Sequence, residues 1–193
     1  MEEGQLSTKE RILMEAMKLF AVQGFEAVSV RAIAKEVGVR DSALYKHYKS
    51  KQAIFDAIVE ESKKRFWNKY QAMHDKYTGK FDLEEMCMNM FYFQTQDEWI
   101  VLFRQMLVIE QFKNPQIAAI YKELFVEMPI QNQAKLFQRF IDKGYLKDKN
   151  ALVMSMELYA PFFLYHTIKE EDETIEEQLK KHVSNFKESY FMI

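Results

Sequence analysis

Within its first fifty residues this chain marks the starts and stops of helices at short, regular intervals. Ser7-Thr8-Lys9-Glu10 has capping-box spacing, in which the serine accepts from a first-turn amide and the glutamate reaches back. Ile12, Leu13, Ala16, Leu19 and Phe20 follow at helical spacing, and Gly24 supplies a left-handed close. Ser29 caps a second helix over 30–37, with Ile33, Ala34 and Val37 inward, and Gly38 permits a tight turn. A third, short helix is predicted over 41–48, and Ser50 caps a fourth that begins at Lys51. A helix, a turn of three or four residues with glycine, and a short helix make a helix-turn-helix.

The rest of the chain continues in helices because almost nothing interrupts them. Only 5 glycines and 3 prolines occur in 193 residues, among abundant Leu, Met, Glu, Lys, Gln and Ala. Strict apolar–polar alternation is nearly absent, so the fold class is all-α. The fourth helix is predicted to reach about Met73. Asp82, Asp97, Asn114-Pro115 and Asn150 mark later starts, Gly144 marks a stop, and a last helix covers about 173–190. Pro129 predicts a kink or short break, and Pro161 a bend in a helix running to about Lys169. The sum is about nine helices, with an N-terminal domain at 1–50 and a larger helical domain at 51–193.

Composition excludes several classes. Cys87 is the single cysteine, so no disulfide framework or cysteine zinc site is expected. The four histidines lack ligand spacing, so no metal is expected. Serine, histidine and aspartate form no nucleophile elbow, and there is no Gly-rich phosphate loop and no HExxH. An enzyme and a cofactor are therefore not expected. The polar, acidic MEEGQLSTKE start does not suit a secretory signal, and no apolar run suits a membrane span, so the expected setting is cytoplasmic.

The chemistry concentrates in GVRDSALYKHYKSKQAIF, residues 38–55. Net charge is −2 overall, yet residues 1–51 carry nine Lys/Arg against seven Asp/Glu. On the third helix Leu44 and Tyr48 share one face, which should pack inward. Ser42, Lys46 and part of Asp41 face away, where short side chains let a backbone approach a groove closely. Tyr45 and His47 flank that face with donors suited to phosphate oxygens. Lys51 opposes the macrodipole of its helix, at a cost of ~0.3–1 kcal/mol. A lysine beside free first-turn amides makes a good anion site, which points to phosphate there.

Residues 8–59 resemble the DNA-binding domain of the tetracycline-repressor (TetR) family. The matching features are Ile12-Leu13, Ala16 and Leu19-Phe20, then Gly24-Phe25 and Val30-Arg31-Ala32-Ile33-Ala34. They continue through Gly38-Val39, Leu44-Tyr45, Tyr48 and Lys49-Ser50-Lys51. The resemblance implies that Ser42, Ala43 and Lys46 face the major groove, while Arg31, Tyr45, His47 and Lys51 contact phosphates. The chain departs from the family at Arg40, where a small capping residue is usual, and at Asp41, where a basic or polar residue is frequent. Arg40 cannot cap, so Asp41 is expected to cap and start the helix one residue later, leaving Arg40 to reach a guanine edge or a phosphate.

The same resemblance implies an effector pocket and a homodimer in the C-terminal domain. Sixteen Phe, 10 Tyr and 12 Met exceed what a small helical core requires, and such side chains suit an apolar cavity between helices. The candidates are Met90, Phe93, Trp99, Phe103, Phe125 and Phe162. The expected function is a transcriptional repressor released from a palindromic operator on double-stranded DNA by a small apolar effector. A helical sensor or carrier of hydrophobic molecules with little DNA binding is the alternative. Leu158, Phe162, Leu179, Val183 and Phe186 are expected on the dimer face.

Overall fold

The computed structural model describes residues 7–76, 81–166 and 173–192. Ten α-helices occur among them: α1 (Thr8–Gln23), α2 (Val30–Val37), α3 (Asp41–His47), α4 (Lys51–Lys76), α5 (Leu83–Gln96), α6 (Glu98–Glu110), α7 (Pro115–Lys122), α8 (Met128–Asp142), α9 (Ala151–His166) and α10 (Glu173–Tyr190). A π turn at Glu123–Glu127 joins α7 to α8 without a break, so these residues form nine continuous helical runs. The one β-type pairing among the described residues is an isolated bridge between Leu146 and Phe191.

The chain divides into two compact units, one of residues 1–72 and 97–119, the other of 73–96 and 120–193. In the first, α1 packs on α2 and on α6. Its core takes Ile12, Met17 and Phe20 from α1, Ile33 from α2, Leu44 from α3 and Phe103 from α6. The capping box at Ser7 forms: its hydroxyl oxygen accepts from Glu10 N–H at 3.3 Å, and Glu10 Oε2 accepts from Ser7 N–H at 2.9 Å. Ser29 and Ser50 accept from Ala32 and Ala53 N–H in the same way. Gly38 takes the left-handed conformation (φ 76°, ψ 32°). Gly24 does not. It has φ 81° but ψ 156°, an extended positive-φ conformation that glycine reaches without a Cβ penalty.

The second unit is built around Leu83, Phe137, Met154, Leu158, Phe162 and Val183. This corrects the expected dimer face: Leu158, Phe162, Leu179, Val183 and Phe186 all lie in this unit's own core. The period that marks an apolar face does not say what covers it, and here α5, α9 and α10 cover one another. The large apolar residues that α9 leaves exposed are Leu152, Val153, Met156 and Leu164.

Pro129 does not break its helix. Proline has no N–H for the carbonyl four residues back and crowds it, so an α-helix must widen or bend. Here it widens: Met128 N–H reaches back five residues to Glu123 O, and the run continues to Asp142. The Phe125 carbonyl, which Pro129 cannot serve, accepts from the Tyr159 hydroxyl at 2.7 Å. Asn150 caps α9 through Leu152 and Val153 N–H, and Pro161 sits inside that helix. The expected extension of α9 to Lys169 lies outside the described residues.

Candidate nucleic-acid interface

The turn from α2 to α3 is set by local hydrogen bonds. Gly38 N–H donates to Lys35 O at 3.1 Å and Val39 N–H to Ala34 O at 3.0 Å, closing α2 in the manner left-handed glycine allows. Arg11, from α1, adds a long-range tie, its Nη2 donating to Val37 O at 2.5 Å. A guanidinium on the last carbonyl of a helix suits the negative end of its dipole. Three residues later α3 begins, so the spacing of the two helices is held from both sides of the turn.

On α3 the inward face is as its spacing predicts, with Leu44 and Tyr48 buried. Ser42, Tyr45, Lys46 and His47 are exposed, as are Arg31 and Arg40, while Ala43 and Asp41 are half-buried. The helix is therefore docked by Leu44 and turns a face with one small and several basic or hydroxyl-bearing side chains to solvent. Lys46 and His47 lie in its last turn, where cations are favoured.

Asp41 is not the cap. Arg40 occupies that position with extended backbone (φ −71°, ψ 149°) and no side-chain hydrogen bond, and its carbonyl receives Ala43 and Leu44 N–H. Asp41 is the first helical residue. Its carboxylate sits 3.2 Å from Arg31 Nε, tying the start of α2 to the start of α3. The Arg31 side chain is 87% exposed and that of Asp41 46%, so solvent screening holds the pair to at most ~1 kcal/mol.

Lys51 is placed differently from the rest. It is half-buried, and its Nζ donates to Phe25 O at 2.6 Å and Glu26 O at 3.2 Å, over the Phe25 ring at 4.4 Å. Two of its three donors are thus taken by the α1–α2 loop. The opposition to the helix dipole that pointed to phosphate has an internal counterpart in these carbonyls.

Residues 12–58 match the family model for bacterial regulatory proteins of the tetR family. The helix-turn-helix is of the tetR type. The matched residues fall wholly within the first compact unit and hold α1–α3 with the start of α4. The chain is 25% identical over 154 residues to IcaR of Staphylococcus aureus, the HTH-type negative transcriptional regulator of the biofilm operon icaADBC, covering 72% of this chain and 83% of IcaR. With other curated HTH-type regulators the match spans only a quarter to about half of the relative's length. A TetR-family regulator from Mesorhizobium loti has the same fold, with TM-score 0.73 and 16% identity over 96% of this chain and 97% of that one. The SmeT–triclosan complex aligns with TM-score 0.70 and 18% identity over 97% of this chain and 93% of SmeT. Over nearly its whole length the chain thus shares the fold of these two proteins, with a tetR-type helix-turn-helix at residues 12–58.

The six residues singled out for a TetR-type effector pocket fall in different units. Trp99 and Phe103 belong to the first, Met90, Phe93, Phe125 and Phe162 to the second. Trp99 is buried, its indole N–H donates to Ser62 Oγ at 2.8 Å, and the Arg65 guanidinium lies 4.5 Å from its ring centroid. Phe125 stacks on Tyr121, and Phe162 packs edge-on against Phe91. A shallow surface groove between α8 and the start of α9, lined by Ala134, Lys135, Gln138, Asn150, Ala151 and Leu152, contains none of the six.

Sequence reasoning missed Arg11 and Glu110. Arg11 has no local signal. Glu110 has one: it continues the buried Trp99, Ile100, Phe103, Met106 and Leu107 face of α6, and a carboxylate on an apolar face needs a partner.

Proposed function

We propose that this regulator is a repressor that binds a palindromic operator as a homodimer and is released by a small apolar effector. The observation that carries the DNA reading is the solvent face of α3, where Ser42 and Ala43 leave room for close approach and Lys46 can reach a base edge. Arg31, Arg40, Tyr45 and His47 surround it as phosphate contacts. Negative control is supported by the likeness to IcaR, a negative regulator, over most of both chains. An apolar effector is supported by the fold shared with SmeT, solved with triclosan, and by the aromatic content of the second unit.

The homodimer reading draws on the exposed Leu152, Val153 and Met156 of α9, which a second copy would cover. Dimerisation would set half-sites about one DNA turn, ~34–36 Å, or a multiple of it apart. The test is selection of duplexes from a random-sequence pool by the full chain. A palindromic consensus is expected. Lys46→Ala should relax base preference at particular positions, each worth ~1–3 kcal/mol. Arg40→Ala should weaken all duplexes alike and lower the salt slope by about one charge. A chain that selects no duplex, yet binds apolar compounds, would be a carrier or sensor instead.

A further inference from the structure

The loop after α1 is held by charged groups from two other helices. Glu110, the last residue of α6, is 4% exposed, and its Oε1 accepts from Phe25 N–H at 3.0 Å. Lys51, the first residue of α4, donates to the carbonyls of Phe25 and Glu26. The Phe25 ring beneath that ammonium packs against Phe20 and Phe55. A Cβ on Gly24 would stand 2.6 Å from the same Glu110 oxygen, so glycine is needed there for close approach as well as for its φ.

Glu110 is a poor choice by every local measure. Its charge is buried on the apolar face of α6 and lies at the negative end of that helix. A methionine or leucine would fit the face better. What Glu110 provides, and an apolar residue cannot, is an acceptor for one backbone N–H in a loop that feeds straight into α2. Lys51 holds the carbonyl side of the same residue, so the Phe25 backbone is gripped on both polar groups.

We propose that Glu110 and Lys51 are a positioning pair for DNA reading: together they clamp the Gly24–Glu26 loop and so fix α2, and through α2 the pose of α3. This rests on the DNA-binding reading above. It assigns Lys51 to the loop carbonyls in place of a phosphate, and it gives α6, which lies outside the matched residues 12–58, a direct hold on the reading domain.

The test uses the full-length chain and a duplex selected by the wild type from a random pool. Glu110→Met keeps length and apolar fit but removes the acceptor. Its thermal unfolding should be no lower than wild type, because the better apolar fit offsets the lost hydrogen bond, its Phe25 amide should exchange faster, and its affinity for the duplex should fall about 5- to 150-fold, the range of a coupling free energy between distant sites. Glu110→Gln, which keeps an acceptor, should restore slow exchange and affinity. Lys51→Ala should lose affinity with an unchanged salt slope, because no phosphate contact is removed. Wild-type affinity or wild-type Phe25 exchange in Glu110→Met would overturn the clamp. A slope lowered by about one charge in Lys51→Ala would put that lysine on phosphate and overturn its half of the pair. If the wild type selects no duplex, the DNA reading fails along with the pair's role in it, and Phe25 exchange still reports on the clamp.

Discussion

The two compact units differ in which contacts stand out. In the first, the ends of short helices are fixed by directed polar contacts to backbone: Arg11 on Val37 O, Lys51 on Phe25 O, Glu110 on Phe25 N–H, and serine caps at α1, α2 and α4. In the second, contacts between rings are prominent. Phe137 stacks on Phe186, His166 on Phe91, and Phe140 makes edge-type contacts with Phe81, Tyr145 and Phe191. Directed contacts specify an orientation, whereas ring packing specifies mainly a volume. A surface that must meet DNA in one register needs the former. A core that accommodates varied apolar shapes is consistent with the latter.

The largest expected effect tests the volume-held unit. Phe137 is fully buried at its centre, and Phe137→Ala should cost about 3–5 kcal/mol in denaturant unfolding, whereas Phe137→Leu should cost far less. A full-sized loss in the leucine variant would show that the unit is as orientation-dependent as the first.

Next is Gly24→Ala. The added Cβ meets the Glu110 oxygen and the backbone holds φ 81°, so stability should fall by about 1–3 kcal/mol. Pairing it with Glu110→Ala should recover only the steric part, which a double-mutant cycle measures.

Tyr159→Phe probes the polar contact that stands out in the ring-held unit. Removing the hydroxyl from the Phe125 carbonyl should cost about 1–2 kcal/mol, and more than a matched tyrosine-to-phenylalanine change at exposed Tyr45. Equal losses would mean that the π turn satisfies this carbonyl without help.

The smallest effect is at the first cap. Ser7→Ala should cost about 1 kcal/mol in thermal unfolding at neutral pH. The hydroxyl and backbone N–H of Ser7 hold the Glu10 carboxyl below its ordinary range. Because the folded value is the lower one, this stabilisation is fully present above the unfolded carboxylate range and fades as pH falls through the folded value. The gap between wild type and Ser7→Ala should therefore narrow in acid, as melts at pH 7 and pH 3 would show.

Much of this molecule was legible from short-range chemistry. Ser7, Ser29, Asp97, Asn114 and Asn150 each cap the helix their positions predicted, because a cap bonds amides only two or three residues away. The helix-turn-helix followed from Gly38 and from the spacing of Leu44 and Tyr48, and the outward residues of α3 followed from the inward ones. The tertiary structure decided what depends on elements far apart in sequence. It gave Lys51 a partner 26 residues away and Glu110 one 85 residues away. At Pro129, where a kink or short break was expected, it made a widened turn served by Tyr159, and it buried the predicted dimer face inside one chain. Local rules fix where a helix starts, stops and which side is apolar. Only the packing of one helix on another chooses which backbone atom a charged side chain will meet, and which apolar side is left for something else to cover.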